Sequence, residues 1–147
     1  MSKIINFLKG LDTDTKGRKL EQIIAWSDAE LEESHDTIQW LFPLNASSAY
    51  NIAAPVLTDA DIVIMKTDVA VQAGILKAYD RFTKFYNNPQ WLTPHNHNYL
   101  RLTRILKCLG LAGLEKEKAV LKKVLNTIYQ KYGPVIGPVT KRFWEEA

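Results

Sequence analysis

Ile75, Tyr79, Phe82 and Tyr86 recur at i, i+4, i+7 and i+11, and this spacing constrains the fold more than any other feature of the chain. With 3.6 residues to a turn, such a stripe is one face of a long amphipathic helix. It predicts a helix over residues 68–86, broken by Asn87, Asn88 and Pro89. The helical period returns along the chain with no useful two-residue alternation to compete with it, so the fold class is all-α.

Short helices are expected over residues 2–9, closed by Gly10, and 20–25, with a turn at 12–17 between them. Ser27 and Glu30 form a capping box that opens a helix running to about Leu41, ended by Pro43. Residues 44–57 show no period and form the longest loop, a class of segment that often carries function. Thr58 and Asp61 repeat the capping pattern ahead of Ile62, Val63, Ile64 and Met65. β-Branching there suits a strand, but no partner strand is near in sequence, so a helix is expected. Further helices are read over 97–109, closed by Gly110 and Gly113, and over 115–132, stopped by Gly133. In the latter, Leu121, Leu125, Ile128 and Tyr132 face inward and the lysines face water. Pro138 starts a last helix carrying Phe143 and Trp144. The expectation is six to eight helices in one domain over residues 1–147, an irregular or orthogonal bundle.

An apolar content of 46% in 147 residues is enough for a core. The net charge is only +3 and the basic residues are scattered, which argues against a nucleic-acid partner. No apolar run is long enough for a membrane span or a signal peptide. Cys108 is alone, so no internal disulfide forms, and the expected location is the reducing cytoplasm. No cofactor fingerprint is present. His95 and His97 lack a second spaced ligand pair, so no metal is expected.

Two motifs mix strongly apolar residues with His, Asp, Gln or Arg: His35 to Leu44, and His97 to Leu106. On one continuous helix His35 shares a face with Leu31, Ile38 and Phe42, and on the second His97, Arg101, Arg104 and Cys108 fall close together. Arg101 and Arg104 thus form a fork of donors suited to a carboxylate or phosphate. If the two helices pack together, His35, Asp36, Gln39 and Trp40 meet His97, Asn98, Arg101 and Arg104. Two readings stay open: a structural network in which Asp36 neutralises one of the arginines, or a small pocket with Trp40 as its apolar wall.

The same motifs, with Asn51, Ala54, Pro55 and Leu57 in the long loop and Leu109, Gly110 and Leu114 later, resemble the conserved domain of the opioid growth factor receptor family. The resemblance covers about residues 20–132. Animal members are described as nuclear-associated receptors for the pentapeptide Met-enkephalin, with further targeting and repeat-rich regions. This chain is expected to be a compact stand-alone member of bacterial or other microbial origin, sharing the motif residues as a site or a core rather than an opioid ligand.

The leading expectation is therefore a cytoplasmic binding domain that holds a small anionic molecule or peptide carboxylate with Arg101 and Arg104, while Asp36 is suited to receive an amine. An enzyme with His35 or His97 as general base is the alternative, though no catalytic set is assigned. A second alternative is a protein-interaction module using a surface around Tyr50, Trp91 and Trp144.

Overall fold

The computed structural model describes residues 1–147 and is all-α, as expected, with nine α-helices. They divide into two compact units, residues 1–85 and 86–147. None of the helices is long and apolar enough to cross a membrane.

The first unit holds α1 (Lys3–Leu8), α2 (Leu20–Ile24), α3 (Asp28–Glu33), α4 (Thr37–Leu41), α5 (Asp59–Thr67) and nearly all of α6 (Val69–Tyr86). Both predicted capping boxes form: the Ser27 and Thr58 hydroxyls accept from the amides of Glu30 and Asp61, whose carboxylates reach back to the amides of Ser27 and Thr58. Asp61 also accepts a 2.8 Å bond from the Ser2 hydroxyl, joining the starts of α1 and α5. Ile5, Phe7, Leu8, Leu20, Ile23, Leu31, Leu41, Phe42, Met65 and Ile75 are fully buried and form the core of this unit. The Ile62–Met65 run is helical, and of the α6 stripe Ile75 and Phe82 are buried whereas Tyr79 and Tyr86 are half-buried.

The expected continuous helix from Ser27 to Leu41 is two helices, which helps raise the count above eight. Its break lies at Ser34, where the backbone turns extended (φ −84°, ψ 117°). Thr37 donates to the Ser34 hydroxyl, which donates to Asp36, and such local side-chain bonds compete with helix hydrogen bonding. Glu32 and Glu33 also stand at the negative end of the α3 dipole, where carboxylates are unfavourable.

After Pro43 the long loop closes on itself through a parallel bridge between Leu44 and Val56, an Ω-like arrangement that leaves Tyr50 and Ile52 exposed at its tip.

The second unit holds a 3-10 turn at Pro89–Trp91, then α7 (Asn98–Leu111), α8 (Glu115–Ile136) and α9 (Pro138–Glu146). Gly113 (φ 72°), not Gly110, closes the α7 segment. The straight run of α8 ends at Tyr132, just before Gly133, as expected. A kink at Tyr132 (φ −120°, ψ 19°) takes up Pro134, and the helix continues to Gly137. Tyr86, Trp91, Tyr99 and Trp144 stack edge-to-face in series at 5.2, 6.1 and 6.1 Å. The Trp91 and Trp144 indoles donate to the carbonyls of Tyr86 and Tyr99, both at 3.1 Å. Trp91 and Trp144 are thus buried core residues and drop out of the expected interaction surface, of which Tyr50 alone is exposed: buried indoles with satisfied N–H groups are packing, not display.

Candidate functional site

The first motif does not run along one helix face. Because the chain leaves the helix at Ser34, His35 turns outward and is exposed instead of sharing the buried face of Leu31, Ile38 and Phe42. Gln39 is buried and accepts a 2.7 Å bond from the Asn51 amide, which ties α4 to the long loop. Trp40 is also buried, edge-on to Phe7 at 5.3 Å.

Asp36 takes its charge partners from the turn that precedes α2. It accepts from the Lys16 ammonium at 2.8 Å, the Arg18 guanidinium at 3.0 Å and the Ser34 hydroxyl at 3.1 Å. Arg18 bridges onward through Nε to Asp14 at 2.7 Å, and the Asp14 carboxylate also accepts from the amides of Lys16 and Arg18. The Arg18 guanidinium lies 5.6 Å from the Trp26 ring centre, within cation–π range. Gly17 (φ 78°) supplies the left-handed conformation that lets the turn fold around Asp14.

Around this brace lies an open groove of about 480 Å³ lined by Lys16, Arg18, Trp26, Ser34, His35 and Asp36, together with Glu30 and Glu33. Of the residues the sequence singled out, His35 and Asp36 are here. Lys16, Arg18 and Trp26 were not anticipated, and the only signal for them was charge concentrated in a predicted turn.

Burial works against the Asp36 carboxylate, but the hydrogen bonds from Lys16 and Arg18 outweigh it and hold its pKa down at about 2. A depressed carboxylate stabilises the fold above its unfolded pKa, and that stability is lost as pH falls through the folded value. Asp36 is therefore expected to contribute about 1–2 kcal/mol at neutral pH, discounted for its exposure to water, and to lose it between about pH 4 and pH 2. Urea titrations at several pH values check this: Asp36→Asn lowers stability at pH 7 and flattens its decline across that window.

In the second motif, His97 is exposed and precedes α7, where its carbonyl accepts from the Arg101 amide. Asn98 is fully buried. Its side-chain oxygen accepts from the Tyr86 hydroxyl at 3.1 Å and from Arg101 Nη1 at 3.4 Å, while its amide donates to Asn96. Arg101 is 6% exposed and Arg104 is half-buried. Burial lowers the Arg104 pKa to about 10. Cys108, one turn on, is pushed up to about 12 by burial, with Arg104 opposing only in part, so its thiol stays protonated and unreactive at neutral pH. No group of three potential metal ligands comes together.

The model of the opioid growth factor receptor conserved region matches residues 9–89 and 87–132, taking in both motifs and the whole groove. Among curated proteins, the opioid growth factor receptor of Rattus norvegicus is 35% identical, the match covering 71% of this chain and 22% of the relative. That of Homo sapiens is 33% identical over 65% of this chain and 17% of its own length. Opioid growth factor receptor-like protein 1 of Mus musculus is 34% identical over 65% and 24%. The chain thus spans about a fifth of the length of these relatives. No solved structure matches it. With the family model covering most of its length, the chain belongs to the opioid growth factor receptor conserved-region family.

Proposed function

We propose that this chain is a ligand-binding domain that takes a short peptide or small zwitterion in the groove beside the Asp14–Arg18–Asp36 brace. The observation that carries this reading is the groove itself, an open one of about 480 Å³ to which Trp26 gives an aromatic wall. Its charges are split. The largely exposed Lys16 ammonium is placed to meet a carboxylate, and the exposed Glu33 to meet an amine. The relatives are named as receptors, which agrees with binding rather than turnover. The single, buried thiol fits a cytoplasmic setting.

A second reading keeps the anion at Arg101 and Arg104, and one observation favours it: the two guanidinium-bearing residues, one buried and one half-buried, stand one turn apart on α7. One experiment separates the two. Amide shifts of the labelled chain are followed on adding a pool of unblocked pentapeptides, then the same pool acetylated or amidated. The groove reading predicts shifts at Lys16, His35 and the Trp26 indole that weaken when either terminus is blocked. Shifts confined to Arg101 and Arg104 support the second reading, and none at either place contradicts both.

A further inference from the structure

The two units differ sharply in charge. Residues 1–85 carry nine Lys and Arg against twelve Asp and Glu, a net of −3, whereas residues 86–147 carry ten against four, a net of +6. The small overall charge of the chain conceals this asymmetry.

On α8 the excess is organised. Lys116, Val120, Lys123, Val124, Thr127 and Lys131 fall within about 100° of one another on the helix and are all exposed. Val120 and Val124 are 50% and 48% exposed. No carboxylate lies inside this face, and the half-buried Glu117 marks its border. Val120, Val124, Thr127 and Lys131 follow i, i+4, i+7, i+11, the spacing of a seam that meets a second helix, while Lys116 and Lys123 repeat at seven residues along one flank. The Lys131 ammonium lies over the Tyr132 ring at 5.4 Å, next to the kink where the straight run ends.

We infer that this face of α8 is a docking surface for an acidic amphipathic helix of a partner protein, which lays apolar residues along Val120 and Val124 and carboxylates beside Lys116 and Lys123. Charge complementarity selects that occupant. A nucleic-acid surface would call for arginines and stacking aromatics, and this face has neither along its seam. A membrane-binding face would carry Leu, Phe or Trp, not two half-exposed valines. The face is independent of the groove near Asp36, and either proposal stands if the other fails.

The probe is a designed helical peptide of about 20 residues with a leucine seam flanked by glutamates. Its counterpart has lysines in place of the glutamates. The controls are a single-stranded oligonucleotide and vesicles of phosphatidylcholine with one quarter phosphatidylglycerol. Binding is read by anisotropy and by amide shifts, with folding of each variant checked by circular dichroism. The acidic peptide is expected to shift α8 resonances and to bind about tenfold more weakly to Lys116→Glu/Lys123→Glu, which in turn gains affinity for the lysine-flanked peptide. Val120→Ser/Val124→Ser, which leaves the charges in place, is expected to weaken binding while keeping its salt dependence. Absence of binding, affinity indifferent to the charge reversal, or tighter binding to the oligonucleotide or the vesicles would overturn the inference.

Discussion

Gly74→Ala is expected to destabilise the first unit by about 3 kcal/mol or more, a large share of a typical domain's stability. Gly74 lies on the buried side of α6, where it meets the backbone of Leu8 at the end of α1. An added methyl would overlap the Leu8 carbonyl oxygen and sit 3.0 Å from its carbon. Backbone cannot turn aside as a side-chain tip can, so α1 would have to lift, opening the packing of Ile5, Phe7 and Leu8 and pulling Ser2 from Asp61. On an exposed helix the same substitution gains about 1 kcal/mol, so the sign is the informative result. Gly110→Ala is the matched control, because its methyl meets the flexible end of Lys118, and it is expected to be neutral or mildly stabilising. Thermal unfolding checks both, with a fall in Tm of about 10 °C or more for Gly74→Ala only.

Asp14→Ala is expected to cost about 2–3 kcal/mol. The Asp14 side chain is wholly buried, yet it accepts from Arg18 Nε and from two backbone amides of the turn. Truncation leaves those donors without their acceptor and leaves Arg18, whose own side chain is 21% exposed, held by Asp36 alone among carboxylates. Water reaches the turn through exposed Lys16 and Gly17, which limits the loss. Asp14→Asn keeps an acceptor for the amides and is expected to fall between wild type and Asp14→Ala. In urea the midpoint falls with little change in slope if the effect is on stability alone.

Features set by neighbours in sequence were legible: the caps at Ser27 and Thr58, the α6 stripe, and the helical Ile62–Met65 run. Buried Gln39, Asn98 and Arg101 also agree with the polar residues set among apolar ones in the two motifs. Less legible was whatever depends on side chains meeting across distance. The wheel that placed His35 inward assumed an unbroken helix, and the Ser34–Asp36–Thr37 bonds that break it follow no period. Lys16 and Arg18 reach Asp36 from about twenty residues upstream, across α2 and α3, so no local pattern announced the brace. Trp91 and Trp144 looked like surface aromatics because carbonyls set by the fold satisfy their indoles.

Recognition in the groove beside Asp36 is tested by the affinity of wild type and Lys16→Gln for unblocked pentapeptides under identical conditions. Lys16 is 64% exposed at its side chain but also braces Asp36, so its loss is expected to lower the melting temperature by a few degrees and to leave both proteins folded at the temperature of the binding measurement. Affinity is expected to be about fivefold weaker in Lys16→Gln, with no difference between the two proteins once the peptide carboxylate is amidated. Equal affinity of both proteins for the unblocked peptides would contradict recognition in the groove.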